Sequence, residues 1–379
     1  MLWIVWAVVL LAFSLQLFNL LGIKAGVLRT LSNKADASPA SSIQPPVSVL
    51  VYTRDQAGLL ETMLPALLTQ AYPNYQVIVV NDASEDETED VLKRLAVDYP
   101  QLYHTFVPKG IQQVSSQLMA LTLAIKAASF EQLLFTRPDA LPVSPYWIAE
   151  MMAEHSEASG LVLGYANVPN GLSLRDSTLL YDGLIEAVKV LGWAKRGAPY
   201  RAFPANVGFS KSLFFNNKGY ASLLNGSGGV DDVYIQMLSK QTHTRIVAQA
   251  NARIVWQGDS LWQLWRTKKG QQWNALSRYP FRNRLKLLLD PISQLFLYAA
   301  LLLVFLLNRT SLMSGQVAVA LLVVLSHQML LLIIPYLTAK RMNLPLSLLR
   351  LCVGRMFRPF LLLRARFGCW FSKATSLTD

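Results

Sequence analysis

A stretch without any charged residue opens the chain, from Met1 to Ile23. About 20 apolar residues cross the hydrocarbon core of a bilayer, so this stretch is long enough to span one. It lacks the positively charged beginning and the small-residue cleavage site of a secretory signal peptide. Because Lys24, Arg29 and Lys34 follow it, the positive-inside rule places its C-terminal end in the cytoplasm. The pattern predicts a retained transmembrane anchor over residues 1–23.

Two further apolar runs lie near the other end of the chain, at Ile292–Leu307 and Val317–Leu337, separated by a loop with a single Arg309. They predict a transmembrane helical hairpin over residues 291–337 whose ends both return to the cytoplasm. The polar residues 326–328 (Ser-His-Gln) fall in the middle of the second run. Polar groups at that depth serve either a function or the packing of helices against each other, and both interpretations stay open.

Between these segments the pattern changes to that of an α/β domain. Residues 24–45 form a linker rich in Ser, Ala and Pro, and the predicted domain covers residues 46–260. Short apolar runs typical of buried strands alternate with runs at helical spacing, which predicts a doubly wound, mostly parallel sheet. The predicted strands are Val47–Tyr52, the end of Gln70–Val80 and Gln132–Phe135, and the predicted helices are Ala57–Leu68, Ser84–Tyr99 and Gln117–Ala128.

Two basic segments flank the predicted hairpin. Residues 261–290 combine tryptophan with arginine and lysine, a mixture that suits the headgroup layer of a membrane, and we interpret them as an interfacial helix. An ordinary basic surface helix is the alternative. Residues 338–379 alternate leucine and arginine, which predicts an amphipathic cytoplasmic tail on the membrane surface.

Composition supports a membrane protein. The chain is 53% hydrophobic and 15% charged, where a soluble domain carries about 25% charged residues. The net charge of +12 would suit nucleic acid, phosphorylated substrates or an anionic membrane. Because eight Lys and Arg residues lie between Lys340 and Lys373, beside apolar segments, we expect a membrane partner and no nucleic acid. The two cysteines, both in the basic tail, build no disulfide framework, which fits a reducing compartment.

One short polar motif, residues 81–84 (Asn-Asp-Ala-Ser), follows a predicted strand and precedes a predicted helix. Ligands of open α/β sheets bind at the carboxyl ends of strands, so Asp82 is placed to accept hydrogen bonds from a base or a ribose. An aspartate at the start of a helix is more often a simple N-cap, which is the competing interpretation.

The longer stretches around this motif resemble family 2 glycosyltransferases, which bind nucleotide sugars on a GT-A fold. VSVLVYTRDQ and LPALLTQAYPNYQVIVVNDASEDETEDVL are similar to the N-terminal half of that family. ALTLAIKAASFEQLLFTRPDALPVSPYWI, PYRAFPANVGFSKSLFFNNKGY and SGGVDDVYIQML resemble its later segments, so the similarity spans about Pro46 to Tyr279. The resemblance implies a GT-A-like α/β fold, with one N-terminal and two C-terminal transmembrane helices outside it.

The resemblance also implies roles for individual residues. Thr53, Gln56 and Asp82 fall where the family contacts the nucleotide, and Asp139 falls on the last position of its metal-binding Asp-x-Asp motif. A divalent cation, Mn²⁺ or Mg²⁺, would neutralise the diphosphate leaving group.

The acceptor side of the site is implied in the same way. Asp231 and Asp232 fall in the segment of the catalytic base, which deprotonates the acceptor hydroxyl. Asn206 and Trp273 fall on the acceptor side.

The clearest departure from the family is Arg137, which replaces the first aspartate of Asp-x-Asp. Either this guanidinium binds the donor diphosphate itself, or the site is inactive and Arg137 pairs with a neighbouring acid. We therefore expect weak binding of a cation without nucleotide. Other departures are Val230 in an acidic triplet, Gln117 in place of a lysine, and residues 269–273 (KGQQW), which keep only Trp273 of the Gln-x-x-Arg-Trp motif.

The sequence thus predicts a membrane-bound, inverting glycosyltransferase that moves a sugar from a nucleotide-sugar donor, of UDP type, to a lipid-linked or glycan acceptor. The expected location is the bacterial inner membrane, with a multi-pass topology and the main domain in the cytoplasm. The alternative is a catalytically inactive relative that binds a nucleotide or a partner enzyme. A transporter is poorly supported, because three spans are too few for the usual repeat architecture.

Overall fold

A computed structural model describes residues 2–32, 44–108, 116–153, 160–167, 173–221, 223, 230–257, 260–276, 278–307, 315–344 and 346–375. Residues 33–43 of the predicted linker, the loop with Arg309 and the last four residues of the predicted tail lie outside these ranges. The strands are β1 Val47–Thr53, β2 Tyr75–Asn81, β3 Leu102–Phe106, β4 Gln132–Thr136, β5 Ala140–Pro142, β6 Leu161–Leu163, β7 Ala166–Asn167, β8 Val207–Ser210, β9 Thr244–Ile246 and β10 Ile254–Trp256.

The helices are α1 Leu2–Leu17, which continues as a π-helical segment Phe18–Lys24, then α2 Ala25–Ser32, α3 Ala57–Leu68, α4 Thr88–Asp98, α5 Ser116–Ala127, α6 Trp147–Ala153, α7 Leu174–Lys195, α8 Lys211–Asn216, α9 Val230–Leu238, α10 Leu261–Leu276, α11 Phe281–Leu307, α12 Gly315–Arg341 and α13 Leu348–Thr375. A 3₁₀ turn, Ala250–Ala252, precedes β10.

The centre of the fold is a seven-stranded sheet in the order β3-β2-β1-β4-β8-β6-β9. Its first half is parallel, and Val49 in β1 lies opposite Val77 in β2 and Leu134 in β4. β1 is almost continuously apolar because helices cover both faces of such a sheet. β8 runs antiparallel between β4 and β6, so the sheet is mixed beyond β4. The predicted mostly parallel α/β architecture is confirmed, and a second sheet β5-β10-β7 adds to it.

Apolar helices lie beside this domain. Two of them, Trp3–Leu28 and Gly315–Arg341, are long and apolar enough within the described chain to cross a membrane. The segments Phe281–Leu289 and Ile292–Leu307, bent by 41° relative to each other, make a third if they form one span. The helices pack on one another through a small apolar cluster that includes Val9, Leu297 and Ala320.

The polar residues in the second apolar run connect these helices. His327 is fully buried and contacts Gln16 of α1 through Nε2 (3.2 Å) and the hydroxyl of Tyr298 in α11 through Nδ1 (3.2 Å). Gln16 in turn donates to Ser293 of α11 (2.5 Å). These contacts join α1, α11 and α12, so they favour the packing interpretation of the polar residues.

Three predicted segments differ from the structure. The start of the predicted linker is helical: α2 packs on the domain, and Val27 belongs to its main core. Residues 261–290 form two helices rather than one, and α10 buries Trp265 and Lys269 against the domain. The tail helix α13 also docks on the domain, since Leu351 joins the main core. The sequence pattern missed this docking because leucine-arginine alternation looks the same on lipid and on protein.

Candidate functional site

The loops after β1 and β2 hold each other at the carboxyl edge of the sheet. The backbone N–H of Glu85 donates to Asp55 Oδ1 (2.7 Å), and the backbone N–H of Asp55 donates to Ser84 Oγ (2.9 Å). Asp55 and Ala83 both have positive φ angles, of 50° and 51°, which these cross-loop bonds support. The edge is therefore a fixed framework rather than two independent loops.

Asp82 lies in this framework and is almost fully buried. Its Oδ2 accepts a hydrogen bond from the Tyr52 hydroxyl (2.8 Å) and lies 3.9 Å from Arg54 Nη1. The next helix begins six residues later at Thr88, without a side-chain cap from its N-cap residue. Asp82 is thus not the N-cap of α4, and the competing interpretation of this residue is wrong.

The other two residues expected at the nucleotide differ from each other. The side chain of Thr53 is completely buried, so a ligand in a neighbouring cavity does not reach it in this conformation. Gln56 lines a cavity together with Tyr52, Arg137 and Asp231, which we call the first cavity. A second cavity adjoins it and shares Arg137 and Asp231.

Arg137 and Asp139 lie at the start of the loop after β4, and they contact each other. Arg137 Nε donates to Asp139 Oδ1 (3.0 Å), and Lys268 Nζ of α10 donates to Asp139 Oδ2 (3.5 Å). Burial alone would raise the pKa of Asp139, but the charges of Arg137 and Lys268 outweigh it and hold this pKa below its ordinary value. Burial lowers the pKa of Lys268 to about 7, with Asp139 opposing the shift and Arg137 adding to it.

These surroundings do not fit a resident divalent cation. Both oxygens of Asp139 are already engaged, and the described residues contain no group of three or more acidic, His or Cys side chains that could hold a metal. Two like unit charges about 4 Å apart repel by about 4 kcal/mol at an effective dielectric of 20, so Arg137 opposes a cation strongly, and Lys268 adds to this repulsion in its protonated form. The predicted metal ligand Asp139 instead bridges two basic side chains.

Asp231 and Asp232 stand in the first turn of α9, in different environments. Asp232 accepts hydrogen bonds from Arg201 Nε (3.2 Å) and from the Tyr279 hydroxyl (2.5 Å). Asp231 lines both cavities, and no hydrogen bond or ion pair to any residue of the described ranges engages it. Burial, followed by the charge of Asp232, raises the pKa of Asp231 to about 6, while Arg137 opposes the shift. Of the two, Asp231 is the carboxylate available to a ligand.

A network of buried ion pairs continues from Asp232 through Arg201. Arg201 also pairs with Glu186 of α7, which Lys269 of α10 contacts in turn. Lys269 lies 2.8 Å from Asp182, one turn before Glu186, and Arg358 of α13 donates to the same Asp182 (2.8 Å). Burial would raise the pKa of Asp182, but Lys269 and Arg358 lower it far below its ordinary range. The network therefore connects the tail helix to the cavity wall.

Two residues expected on the acceptor side are placed elsewhere. Asn206 is fully buried: its Oδ1 accepts from Trp147 Nε1 (3.1 Å), and its Nδ2 donates to two backbone carbonyls (both 2.8 Å). Its amide joins the start of β8 to Trp147 and to the carbonyls of Tyr165 and Ala252, and Asn206 lines neither cavity. Its acceptor-side role stays a prediction. Trp273 packs in an apolar cluster with Leu179 and Trp265 and lines neither cavity.

Sequence reasoning missed several residues of the site. Tyr52, Lys268, Arg201 and Glu186 all line one of the cavities. Arg201 stands in a segment used for the family resemblance. Glu186 and Lys268 stand outside every motif of that resemblance, and only the packing of α7 and α10 brings them to the cavity wall. A lysine near tryptophans also suits a membrane interface, and for that reason the sequence of residues 261–290 predicts an interfacial helix instead of a cavity wall.

A cavity at the carboxyl edge of the parallel half of the sheet, with a carboxylate facing it, is where open α/β folds bind their ligands, and it agrees with the GT-A-like fold that the resemblance implies. Residues 48–164 match the model of the family described as Glycosyl transferase family 2. The matched stretch, 117 of the 379 residues, is similar to a family 2 glycosyltransferase domain.

A curated relative and a solved structure are also similar to this chain. The chain is 23% identical over 147 residues to a poly-beta-1,6-N-acetyl-D-glucosamine synthase of Staphylococcus aureus. That match covers 38% of this chain and 34% of the relative, so it spans about a third of the relative's length. The mannosyltransferase PcManGT of Pyrobaculum calidifontis, solved in complex with GDP-Man and Mn²⁺, superposes with a TM-score of 0.51 at 19% identity, covering 93% of this chain and 98% of that one. This superposition shows the shared fold.

Proposed function

We propose that this chain is a membrane-bound, inverting glycosyltransferase that transfers a sugar from a nucleotide-sugar donor to an acceptor hydroxyl at the cytoplasmic face of the bacterial inner membrane. The observation that carries the proposal is the position of Asp231, a carboxylate that faces both cavities without a hydrogen-bond or ion-pair partner among the described residues and has its pKa raised to about 6. A general base works best when its pKa lies near the pH of the reaction.

The proposed reaction is a single displacement. Asp231 removes the proton of the acceptor hydroxyl while that oxygen forms a bond to the anomeric carbon of the donor sugar. The bond from this carbon to the diphosphate oxygen breaks, and the nucleoside diphosphate leaves with the electron pair. Asp232, fixed by Arg201 and Tyr279, positions the start of α9 and supports Asp231.

The donor and the acceptor follow from similarity and chemistry together. The family resemblance favours a UDP sugar, with Asp82 and Gln56 near the nucleoside, whereas the mannosyltransferase of similar fold binds GDP-Man. The name of the staphylococcal relative suggests N-acetylglucosamine as a sugar to test first. We propose a lipid-linked or glycan acceptor, because the chain carries helices long and apolar enough to cross a membrane.

The experiment is an assay of sugar transfer and donor hydrolysis by the detergent-purified full chain, with UDP-N-acetylglucosamine, UDP-glucose and GDP-mannose as donors. Each donor is tested in EDTA and with Mn²⁺ or Mg²⁺. Turnover of at least one donor that disappears in Asp231→Asn supports the proposal. If no donor is turned over, the proposal fails.

A second candidate function is that of an inactive relative that binds a nucleotide or a partner enzyme. The ion pair between Arg137 and Asp139 favours it, because this contact takes up the carboxylate that the family uses for metal. Calorimetry distinguishes the two candidates: nucleotide binding without any turnover supports the second.

A further inference from the structure

Two basic side chains flank Asp139, and only one of them stands in a family motif. We propose that Arg137 and Lys268 together bind the diphosphate of the donor, so that the chain holds its nucleotide sugar without a divalent cation. The inference rests on the proposed function and specifies how that site recognises its donor.

The first argument is that the two basic side chains are more exposed at the cavity wall than the carboxylate between them. The side chains of Arg137 and Lys268 are 34% and 21% exposed, whereas that of Asp139 is 11% exposed. Arg137 lines both cavities and Lys268 lines the second, while Asp139 lines neither. A ligand entering the cavities therefore meets the two cations and not the carboxylate behind them.

The second argument is the donor geometry of the two side chains. Within the described residues, Arg137 uses only Nε for Asp139, so its two terminal amino groups remain for a phosphate. A guanidinium presents such groups in a planar fork that matches phosphate oxygens. The ammonium of Lys268 has three donors and gives one to Asp139. Because both cations contact the same carboxylate, they lie close enough to bind neighbouring phosphates of one diphosphate.

The third argument is that Lys268 is held in place. Its Nζ lies 3.0 Å from the centre of the Trp256 ring, a cation–π contact. Trp256 pairs with Ala140 of β5, directly after Asp139, and the backbone N–H of Gln257 donates to the carbonyl oxygen of Asp139 (2.7 Å). The small sheet thus fixes the ring, the carboxylate and the ammonium relative to one another. A preorganised cationic pair supplies the charge neutralisation that a metal supplies elsewhere.

The first test uses the unmodified full chain in detergent. Calorimetry measures the binding of UDP, GDP and inorganic pyrophosphate in EDTA and again with Mn²⁺. We expect pyrophosphate and at least one nucleotide to bind equally well in both conditions. Binding that is absent in EDTA and restored by Mn²⁺ would overturn the inference, as would no binding of any of the three probes in either condition.

The second test uses single substitutions. Lys268→Gln and Arg137→Gln each remove a charge-assisted bond, so we expect each to weaken binding of the diphosphates roughly tenfold to a hundredfold in EDTA. Arg266→Gln is the matched control, since Arg266 is exposed, lies two positions before Lys268 on the same helix and carries the same charge. Unchanged affinity in Lys268→Gln overturns the role of that lysine. If a variant does not fold, the EDTA comparison on the unmodified chain still decides the question.

The transfer assay separates this inference from the proposed function. Metal-independent binding of a diphosphate without turnover of any donor retains the inference and removes the proposed function. Sugar transfer that requires Mn²⁺ retains the proposed function and removes the inference.

Discussion

Asp231 and Asp232 are neighbours in sequence, yet Asp232 is held by Arg201 and Tyr279 while Asp231 faces the cavities. A general base acts in its ionised form, and the pKa of Asp231 is raised to about 6. We therefore expect kcat/KM to fall about tenfold per pH unit below pH 6 and to level off above it. Asp231→Asn should lower transfer at least about 100-fold.

The raised pKa of Asp231 also affects the stability of the folded state. Folding raises the pKa of Asp231 above its unfolded value, so the folded state binds more protons between about pH 4 and pH 6, and its stability falls as the pH rises through that window. Asp231→Asn should therefore raise the melting temperature at neutral pH while it lowers activity. A lower melting temperature in this variant, or a rate profile without a limb near pH 6, would contradict this role.

Asp82 gives a second prediction at the scale of one residue. If its carboxylate accepts a hydrogen bond from the nucleoside, Asp82→Ala should weaken uridine nucleotide binding by about 1.5–3 kcal/mol. Calorimetry measures the difference. Tyr52→Phe is the control, because it keeps the carboxylate and removes only the hydroxyl that now donates to it. Unchanged affinity in Asp82→Ala would leave Asp82 as a structural partner of Tyr52.

The third prediction at the scale of one residue concerns metal binding beside Arg137. Its guanidinium occupies the place of an acidic ligand and repels a dication beside Asp139. The unmodified chain should bind Mn²⁺ weakly without nucleotide, and Arg137→Asp should raise the affinity, as measured by calorimetry in nucleotide-free buffer. Arg266→Asp makes the same change of charge at an exposed position and should leave the Mn²⁺ affinity unchanged. Tight Mn²⁺ binding by the unmodified, nucleotide-free chain would refute this description of the site.

At the scale of whole elements, the close approach of α13 to α7 depends on Gly354. A Cβ at this position would lie 2.5 Å from the Cβ of Tyr181 and 2.9 Å from the backbone oxygen of Ser177. Gly354→Ala should therefore push α13 away from α7, lengthen the Arg358–Asp182 contact and lower the melting temperature. Faster proteolysis within α13 should accompany it.

Gly58 in the first turn of α3 provides the control for Gly354. A Cβ there meets nothing within 4 Å. Alanine is favoured over glycine in a helix by about 0.5–1 kcal/mol, so Gly58→Ala should be neutral or stabilising. Equal effects of the two substitutions would show that α13 does not depend on a close approach at Gly354.

The helices and strands show which elements a local sequence pattern can predict. α3 spans Ala57–Leu68 as predicted, because helical spacing of apolar residues and the following turn are both local signals. β3 was missed: its residues Leu102–Phe106 are mostly polar or half exposed, since it is the edge strand of the sheet. The docking of α10 and α13 on α7 was missed too. An amphipathic helix reports only that one face is apolar, not whether lipid or protein covers that face.

The same limit explains which parts of the site could be predicted. Asp82, Arg137 and Asp231 lie at strand ends or helix starts inside recognisable motifs. Lys268 reaches the cavity only through the tertiary packing of α10, and no local pattern reports it. Asn206 stands in such a motif as well. Its amide is hydrogen-bonded to Trp147 and to two backbone carbonyls, which only the packed structure reveals.

At the scale of the whole molecule, three contacts connect the apolar helices, the domain and the tail helix to one another. Arg341 at the end of α12 donates to the carbonyl of Leu28 at the end of the first apolar helix (2.7 Å). Lys195 of α7 donates to the carbonyl of Gly26 (3.0 Å), and Arg358 holds α13 to Asp182. The C-terminal ends of both apolar helices and the tail helix are therefore on the side of the domain.

This arrangement leads to a prediction of topology. The basic residues 24 and 340–341 cluster where those helix ends meet, and the positive-inside rule assigns that side to the cytoplasm. We expect three spans, with the N-terminus outside and both the domain and the C-terminus in the cytoplasm. Reporter fusions at residues 42 and 379 should give cytoplasmic signals, and a fusion at residue 314 should give an external one. An external signal at residue 42 would reverse the orientation. A cytoplasmic signal at residue 314 would instead mean that the bent helix α11 does not cross the membrane, leaving it as a re-entrant or surface segment beside two true spans.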